Sequence, residues 1–293
     1  MGIKRYLDIL SDHDILIKKL EYYGLEGPIN KWFQSYLSDR TQVVSILGFE
    51  SQPRTVEHGV PQGSVLGPLL FLLYINDLHV CIAHSNVYHF ADDTNLLCIE
   101  NTYKKLQKSL NRDLKFLHQW LLANKISLNE TKTEIIIFNK PNNKMNWNLK
   151  VKLNGHKIEP SEHIKYLGIY IDKHMNGEAH CSKVLPKLQR ANGILAILRH
   201  YLPTKELLNI YHSIFSSHLT YACQAWGQQR NKYFNKLVTQ QNNAMRIITF
   251  SDFRSSADPL YRKNNILKIT DHIYMSNCLL VHQWMNKKLP SSF

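Results

Sequence analysis

Phe90-Ala91-Asp92-Asp93-Thr94 places two carboxylates side by side between two short apolar segments, Val87–Phe90 and Thr94–Ile99. Apolar runs flanking a polar pair predict a β-hairpin with the carboxylates at its turn. Adjacent aspartates repel, and each favours a neighbour that neutralises it. A divalent cation does so, and Mg²⁺ prefers carboxylate oxygens together with substrate phosphates. The bare dipeptide carries no such meaning alone, because Asp is a common residue of solvent-exposed turns. Its surroundings decide which reading holds.

Upstream, Gly59-Val60-Pro61-Gln62-Gly63 reads as a loop, and Pro68 sits early in an apolar helix running to about Leu78. A first-turn proline is tolerated there. Further back, residues 12–37 read as helical with a break near Gly24–Pro28, and Gln42–Leu47 as a strand ending at Gly48. Downstream, Leu106, Leu110, Leu114, Leu117 and Leu121 recur at three and four residues, the spacing of an amphipathic helix. Glu134–Phe138 and Tyr166–Ile171 read as strands. Lys150–Leu153 and His156–Ile158 flank Asn154-Gly155, the strongest two-residue hairpin signal. After Asp172 only helical periodicity remains. The chain therefore divides into a mixed α+β part, residues 1–175, and an all-helical part, residues 176–293.

Charge follows the same division. The chain of 293 residues has a net charge of +13. Residues 1–150 carry 17 basic and 15 acidic side chains, whereas residues 151–293 carry 19 and 8. A near-neutral half joined to a basic half points to a polyanion partner for the second, with a merely basic solvated surface as the alternative. The five cysteines, Cys81, Cys98, Cys181, Cys223 and Cys278, show no CxxC spacing. Reduced thiols in an intracellular protein are expected, with no disulfide-linked partner and no zinc site. The pair His180-Cys181 lacks companions and reads as structural. The longest apolar run, Val65–Ile75, is broken by Gly67 and Pro68 and too short to span a bilayer. A soluble protein without a membrane partner is expected.

The ordered segments resemble the motifs of reverse transcriptases. Gly59-Val60-Pro61-Gln62-Gly63-Ser64-Val65-Leu66-Gly67-Pro68 with its helix resembles motif B, and Phe90-Ala91-Asp92-Asp93-Thr94 resembles motif C. Leu128-Asn129-Glu130-Thr131-Lys132-Thr133 and the strand after it resemble motif D. Tyr166-Leu167-Gly168-Ile169 resembles motif E, the primer grip. The wording of these motifs is similar to that of non-LTR (LINE-type, jockey- or CR1-like) retrotransposons. Leu198–Pro203, Leu219–Tyr221 and Asn243–Ile247 resemble the region after the palm in the same elements.

That resemblance implies an RNA-directed DNA polymerase acting on an RNA template, a DNA primer and deoxynucleoside triphosphates. It implies two Mg²⁺ ions held by Asp92 and Asp93, which would also be the catalytic pair. Pro61, Gln62, Gly63 and Lys132 would lie beside the nucleotide and template, and Tyr166, Leu167 and Gly168 would support the primer end. The fold implied is a polymerase palm, an antiparallel sheet with helices on one face, followed by a basic helical thumb. The work would be done where RNA and target DNA meet, with the nucleus favoured over the cytoplasm.

The pattern breaks at motif A. Asp12-His13-Asp14 and the helix after it match the end of that motif, and this register puts the catalytic carboxylate on Ile9. Asp8, one residue out, is the candidate third metal ligand, reachable only through a bulge, since a one-residue shift reverses the face of a strand. Asp12 reads as a helix N-cap. Gly177 stands where relatives usually place Trp. The fingers have no counterpart, so an N-terminally truncated copy is expected. The alternative is a catalytically dead remnant that binds nucleic acid through its basic helical half.

Overall fold

The computed structural model describes residues 2–4, 7–8, 12–56, 58–61, 63–128, 133–139, 149–228 and 231–290, with the side chains of residues 2–8 and Leu128 outside that description. The chain is a mixed helix and sheet protein of the α+β class, built from two compact units. The first comprises residues 1–137 and 143–161, the second residues 138–142 and 162–293.

In the first unit the chain begins with β1 (Gly2–Lys4) and β2 (Leu7–Asp8). Helix α1 (His13–Tyr22) follows, capped by Asp12, whose carboxylate accepts from Ile15 N at 3.1 Å. Gly24, with φ +85°, ends the turn after α1, and α2 (Gly27–Leu37) starts with Pro28 in its first turn. Short strands β3 (Thr41–Gln42), β4 (Ser45–Ile46), β5 (Phe49–Glu50) and β6 (Arg54–Thr55) then form two nested ladders, β3 with β6 and β4 with β5. The expected strand Gln42–Leu47 is thus interrupted after Gln42 and folds back at Leu47-Gly48.

Helix α3 (Leu66–Ile75) starts two residues before Pro68 and continues as a 3₁₀ turn, Asn76–Cys81. Strands β7 (Ser85–Phe90) and β8 (Asp93–Cys98) make the expected hairpin. The leucine stripe forms α4 (Tyr103–Ala123), with Leu106, Leu110, Leu114, Leu117 and Leu121 all buried. After it come β9 (Ser127–Leu128), β10 (Glu134–Ile136), β11 (Val151–Leu153) and β12 (His156–Ile158). Strand β1 pairs antiparallel with β10, Ile3 opposite Ile135, and also runs beside β8; β2 pairs with β9. One core joins Leu16, Leu70, Leu96, Leu117 and Val151 from these elements.

The second unit opens with a hairpin, β13 (His163–Tyr166) and β14 (Ile169–Asp172). The expected single strand Tyr166–Ile171 is instead two, reversing at Leu167-Gly168. Helices follow: α5 (Glu178–Leu198), α6 (Thr204–Ile210), a π-helical stretch Tyr211–Ser216, α7 (Ser217–Thr220), α8 (Cys223–Trp226), α9 (Lys232–Ile248), α10 (Asp258–Lys263) and α11 (Ile269–Met285). Helices α5 and α9 pack along each other around Leu188, Leu195, Leu237 and Met245. A buried amide satisfies itself inside this core: Gln241 Nε2 donates to Tyr211 Oη and the Leu267 carbonyl, and its Oε1 accepts from Ile269 N. Such full satisfaction is what makes a buried polar side chain tolerable.

Candidate active site

The β7–β8 hairpin closes with a two-residue loop, Ala91-Asp92, since Phe90 is paired with Asp93. The carboxylates therefore occupy unlike positions: Asp92 is half-buried in the turn, while Asp93 opens β8 and is only 8% exposed. Ala91 takes a left-handed backbone, φ +50°, as short hairpin loops require of their first residue. On the opposite face of the hairpin, His89 Nδ1 lies 3.1 Å from Thr94 Oγ1, and Thr94 is buried. Burial, with a smaller contribution from His79, pushes the His89 imidazole below its ordinary range.

Asp113 anchors the base of this hairpin. Fully buried on α4, it accepts from Ala83 N, His84 N and Ser85 Oγ, the last at 2.7 Å. Sequence reasoning passed over it. The signal was present: Asp113 lies three residues after Leu110 and four before Leu117, so an acid occupies the apolar stripe. An acid there must be bonded.

The Gly59–Pro68 loop folds back onto the start of α3. Ser64 Oγ donates to the Pro61 carbonyl at 2.8 Å and accepts from Gly67 N at 2.9 Å. His13 Nε2 donates to the Gly59 carbonyl at 2.8 Å. A side chain at Gly67 would come within 2.9 Å of the Pro61 carbonyl oxygen, so only glycine admits this closure. Gly63 takes φ +81°, which again favours glycine. The loop lines an open cavity of about 880 Å³ with Arg40, Gln42, Thr55, His58 and Phe71. Pro61 and Gly63 both face it. Gln62 lies outside the described residues.

Asp12 caps α1 and also meets Lys125 at 2.6 Å, tying the start of α1 to the residues after α4. Burial works to raise its carboxyl, but the bonds from Lys125 and Ile15 N outweigh this and hold it below the usual carboxylate range. Asp8 lies in β2 opposite Ser127, with its side chain outside the described residues, as are Ile9 and Lys132. Among the described residues no group of three or more His, Cys, Asp or Glu side chains could hold a metal. Asp92 and Asp93 are two adjacent hard oxygen donors, a fit to Mg²⁺ as far as they go.

Of the remaining expected positions, Tyr166 ends β13, and Leu167-Gly168 form the hairpin turn with φ +43° and +83°. Tyr221 Oη donates to the Leu167 carbonyl at 2.8 Å, and a Cβ at Gly168 would meet the Tyr221 ring at 3.2 Å. This turn belongs to the second unit. His180 and Cys181 are structural. Burial takes His180 down to about 4 and Cys181 up to about 11, and His180 Nδ1 accepts from Tyr170 N. All five cysteines are free thiols. Among the described residues no helix is long and apolar enough to cross a membrane.

Comparison with known proteins gives relatives that cover most of this chain. The chain is 28% identical over 292 residues to a probable RNA-directed DNA polymerase from transposon BS of Drosophila melanogaster, covering 89% of this chain and 30% of that protein. It is 27% identical over 251 residues to the RNA-directed DNA polymerase from mobile element jockey of the same species, covering 82% and 27%. With a probable RNA-directed DNA polymerase from its transposon X-element it shares 25% over 268 residues, covering 86% and 27%. The chain thus spans less than a third of the length of these relatives. The family model for reverse transcriptase (RNA-dependent DNA polymerase) matches residues 12–171, a span that contains the Gly59–Pro68 loop, the Asp92–Asp93 hairpin and the Leu167-Gly168 turn and begins after Asp8. With more than half of its length under that model, this chain belongs to the reverse transcriptase family.

Proposed function

We propose that the chain is the palm and thumb of a non-LTR retrotransposon reverse transcriptase, the first unit holding the reaction centre and the helical second unit guiding nucleic acid. The observation that carries this is the Asp92–Asp93 hairpin, a tight turn braced from below by Asp113, in the same unit as the glycine-bounded Gly59–Pro68 cavity. In this reading Asp92 and Asp93 are the catalytic carboxylates and would hold Mg²⁺, with Asp8 as the candidate third ligand. When bound, Mg²⁺ supplies charge neutralisation for nucleotidyl transfer onto a primer hydroxyl. Pro61, Gln62 and Gly63 would bound the nucleotide and template, Lys132 would face phosphate, and Tyr166, Leu167 and Gly168 would support the primer terminus. The partners are an RNA template, a DNA primer and deoxynucleoside triphosphates, and the nucleus is the favoured place of action.

Primer extension on an RNA template with Mg²⁺ tests this. Asp92→Ala/Asp93→Ala is expected to lower the rate by on the order of 10²–10³-fold or more, the range for removing a stabiliser of developing charge. Equal extension by both chains would remove the enzymatic reading.

A second reading has its own support: residues 151–293, which make up most of the second unit, carry 19 basic against 8 acidic side chains. It makes the chain a catalytically silent nucleic-acid binder. The same assay separates the two, because this reading requires no extension by the unaltered chain while salt-dependent nucleic-acid binding persists.

A further inference from the structure

The β11–β12 hairpin lies against α4 in a register fixed by side chains. Asn111 Nδ2 donates to the Lys150 carbonyl at 3.0 Å, its Oδ1 accepts from Lys152 N at 2.9 Å, and Gln107 Oε1 accepts from Lys150 N at 3.1 Å. Between helix and hairpin is a cavity of about 400 Å³ lined by Asn111, Lys115, His118, Lys150, Lys152 and Asn154. It shares no lining residue with the Gly59–Pro68 cavity or the Asp92–Asp93 hairpin.

The charge of this cavity is one-sided. Lys115, Lys150 and Lys152 are exposed, and none forms an ion pair among the described residues. Lys152 is directly opposite Lys157 in the hairpin register, and Lys157 is itself paired with Glu159, which leaves Lys152 without an acid of its own among the described residues. His118 adds a buried Nδ1 with no hydrogen-bond partner among the described residues, in a molecule whose buried polar atoms are mostly satisfied.

We propose that this cavity is a polynucleotide-backbone site, in which Lys115, Lys150 and Lys152 seat successive phosphodiester groups away from the reaction centre. Lys150, the residue before β11, and Lys152 within it are two residues apart, about 6.6–6.8 Å along an extended chain. That spacing suits charges repeated along a chain better than the convergence of three donors on one small anion. Lysine provides flexible point charges, appropriate to a contact that ignores base sequence. The choice of a polynucleotide among polyanions rests on the polymerase reading; the site itself does not.

Fluorescence anisotropy of a labelled single-stranded RNA with the full chain, across a salt series without Mg²⁺ or nucleotides, tests the site. Lys115→Ala/Lys150→Ala/Lys152→Ala is expected to weaken binding by about tenfold or more and to flatten the log–log salt slope by about 2, three phosphate contacts at roughly 0.7 each. Lys18→Ala/Lys31→Ala/Lys105→Ala, which removes equal charge from exposed positions elsewhere in the unit, is expected to change both far less. Should the cavity triple lower the melting temperature, Lys115→Gln/Lys150→Gln/Lys152→Gln keeps most of each aliphatic stem and carries the same expectation. Equal effects of the cavity and control triples would overturn the proposal. So would inorganic phosphate or pyrophosphate that displaces RNA from the unaltered chain but not from the cavity triple at the same ionic strength, since the cavity would then be a small-anion site. Because no polymerisation is read, a chain that fails to extend primers still tests the cavity.

Discussion

His180 is 4% exposed, beside the Trp226 ring, with Nδ1 accepting from Tyr170 N, so its proton sits on Nε2. Burial, helped by nearby Lys187, lowers its titration to about 4 from an ordinary 6.5. The sign follows from which state takes up the proton. Above about pH 6.5 both folded and unfolded chains hold a neutral ring. Between about 6.5 and 4 only the unfolded chain protonates, so folding stability falls as pH drops, by up to about 3 kcal/mol. Denaturant midpoints measured at pH 7 and 4.5 should show this fall, and His180→Asn, which keeps an acceptor but cannot titrate, should show much less of it. At Ala91 the strain is in the backbone. A non-glycine residue in left-handed conformation costs roughly 1–2 kcal/mol, partly offset when glycine's extra chain entropy replaces it. Ala91→Gly should therefore raise the melting temperature by about 2–4 °C, corresponding to about 1 kcal/mol. A lowered melting temperature would mean that the methyl group contributes something the turn geometry does not reveal.

At the scale of elements, the hairpins show what was legible and what was not. Among the described residues four close with two-residue loops: Leu47-Gly48, Ala91-Asp92, Asn154-Gly155 and Leu167-Gly168. Asn154-Gly155 announces itself because both residue types enter left-handed space easily. The Ala91-Asp92 turn was legible from the apolar runs on either side. Leu47-Gly48 and Leu167-Gly168 use the same two positive φ values, yet leucine is no turn signal, so both stretches read as continuing strands or strand ends. Tertiary contacts impose the second of these turns: Tyr221, more than fifty residues away, bonds the Leu167 carbonyl and flanks Gly168. Long helices were legible because periodicity is redundant; the leucines of α4 report the same face five times over. Single buried acids such as Asp113 were not, since one exception within a stripe looks like noise until its three donors are seen. The candidate reaction site was legible as an ordered set of short motifs, whereas the lysine cavity needed the docking of β11 on α4, which no local pattern encodes.

On the scale of the molecule, charge and chemistry separate. The near-neutral unit carries the carboxylates, and most of the net positive charge lies in the helical unit, which has its own buried core around α5 and α9. Within the first unit, α4 serves as a common strut. Its buried stripe packs the core, Asp113 holds the base of β7, Gln107 and Asn111 hold β11, and Lys125, just past its C-terminal end, reaches Asp12. Opening this helix therefore means undoing all of these contacts together, so its opening free energy approaches that of the whole unit. In deuterium exchange the amides from Leu110 to Leu121 should be the slowest of residues 1–137. The exposed β4–β5 ladder, which packs little apolar surface, should exchange orders of magnitude sooner. Equal protection in both would show that the strut does not set the order of events. If the strut does set it, the carboxylate hairpin keeps its shape for as long as α4 stays closed, and its lifetime is that of a helix which never touches the reaction.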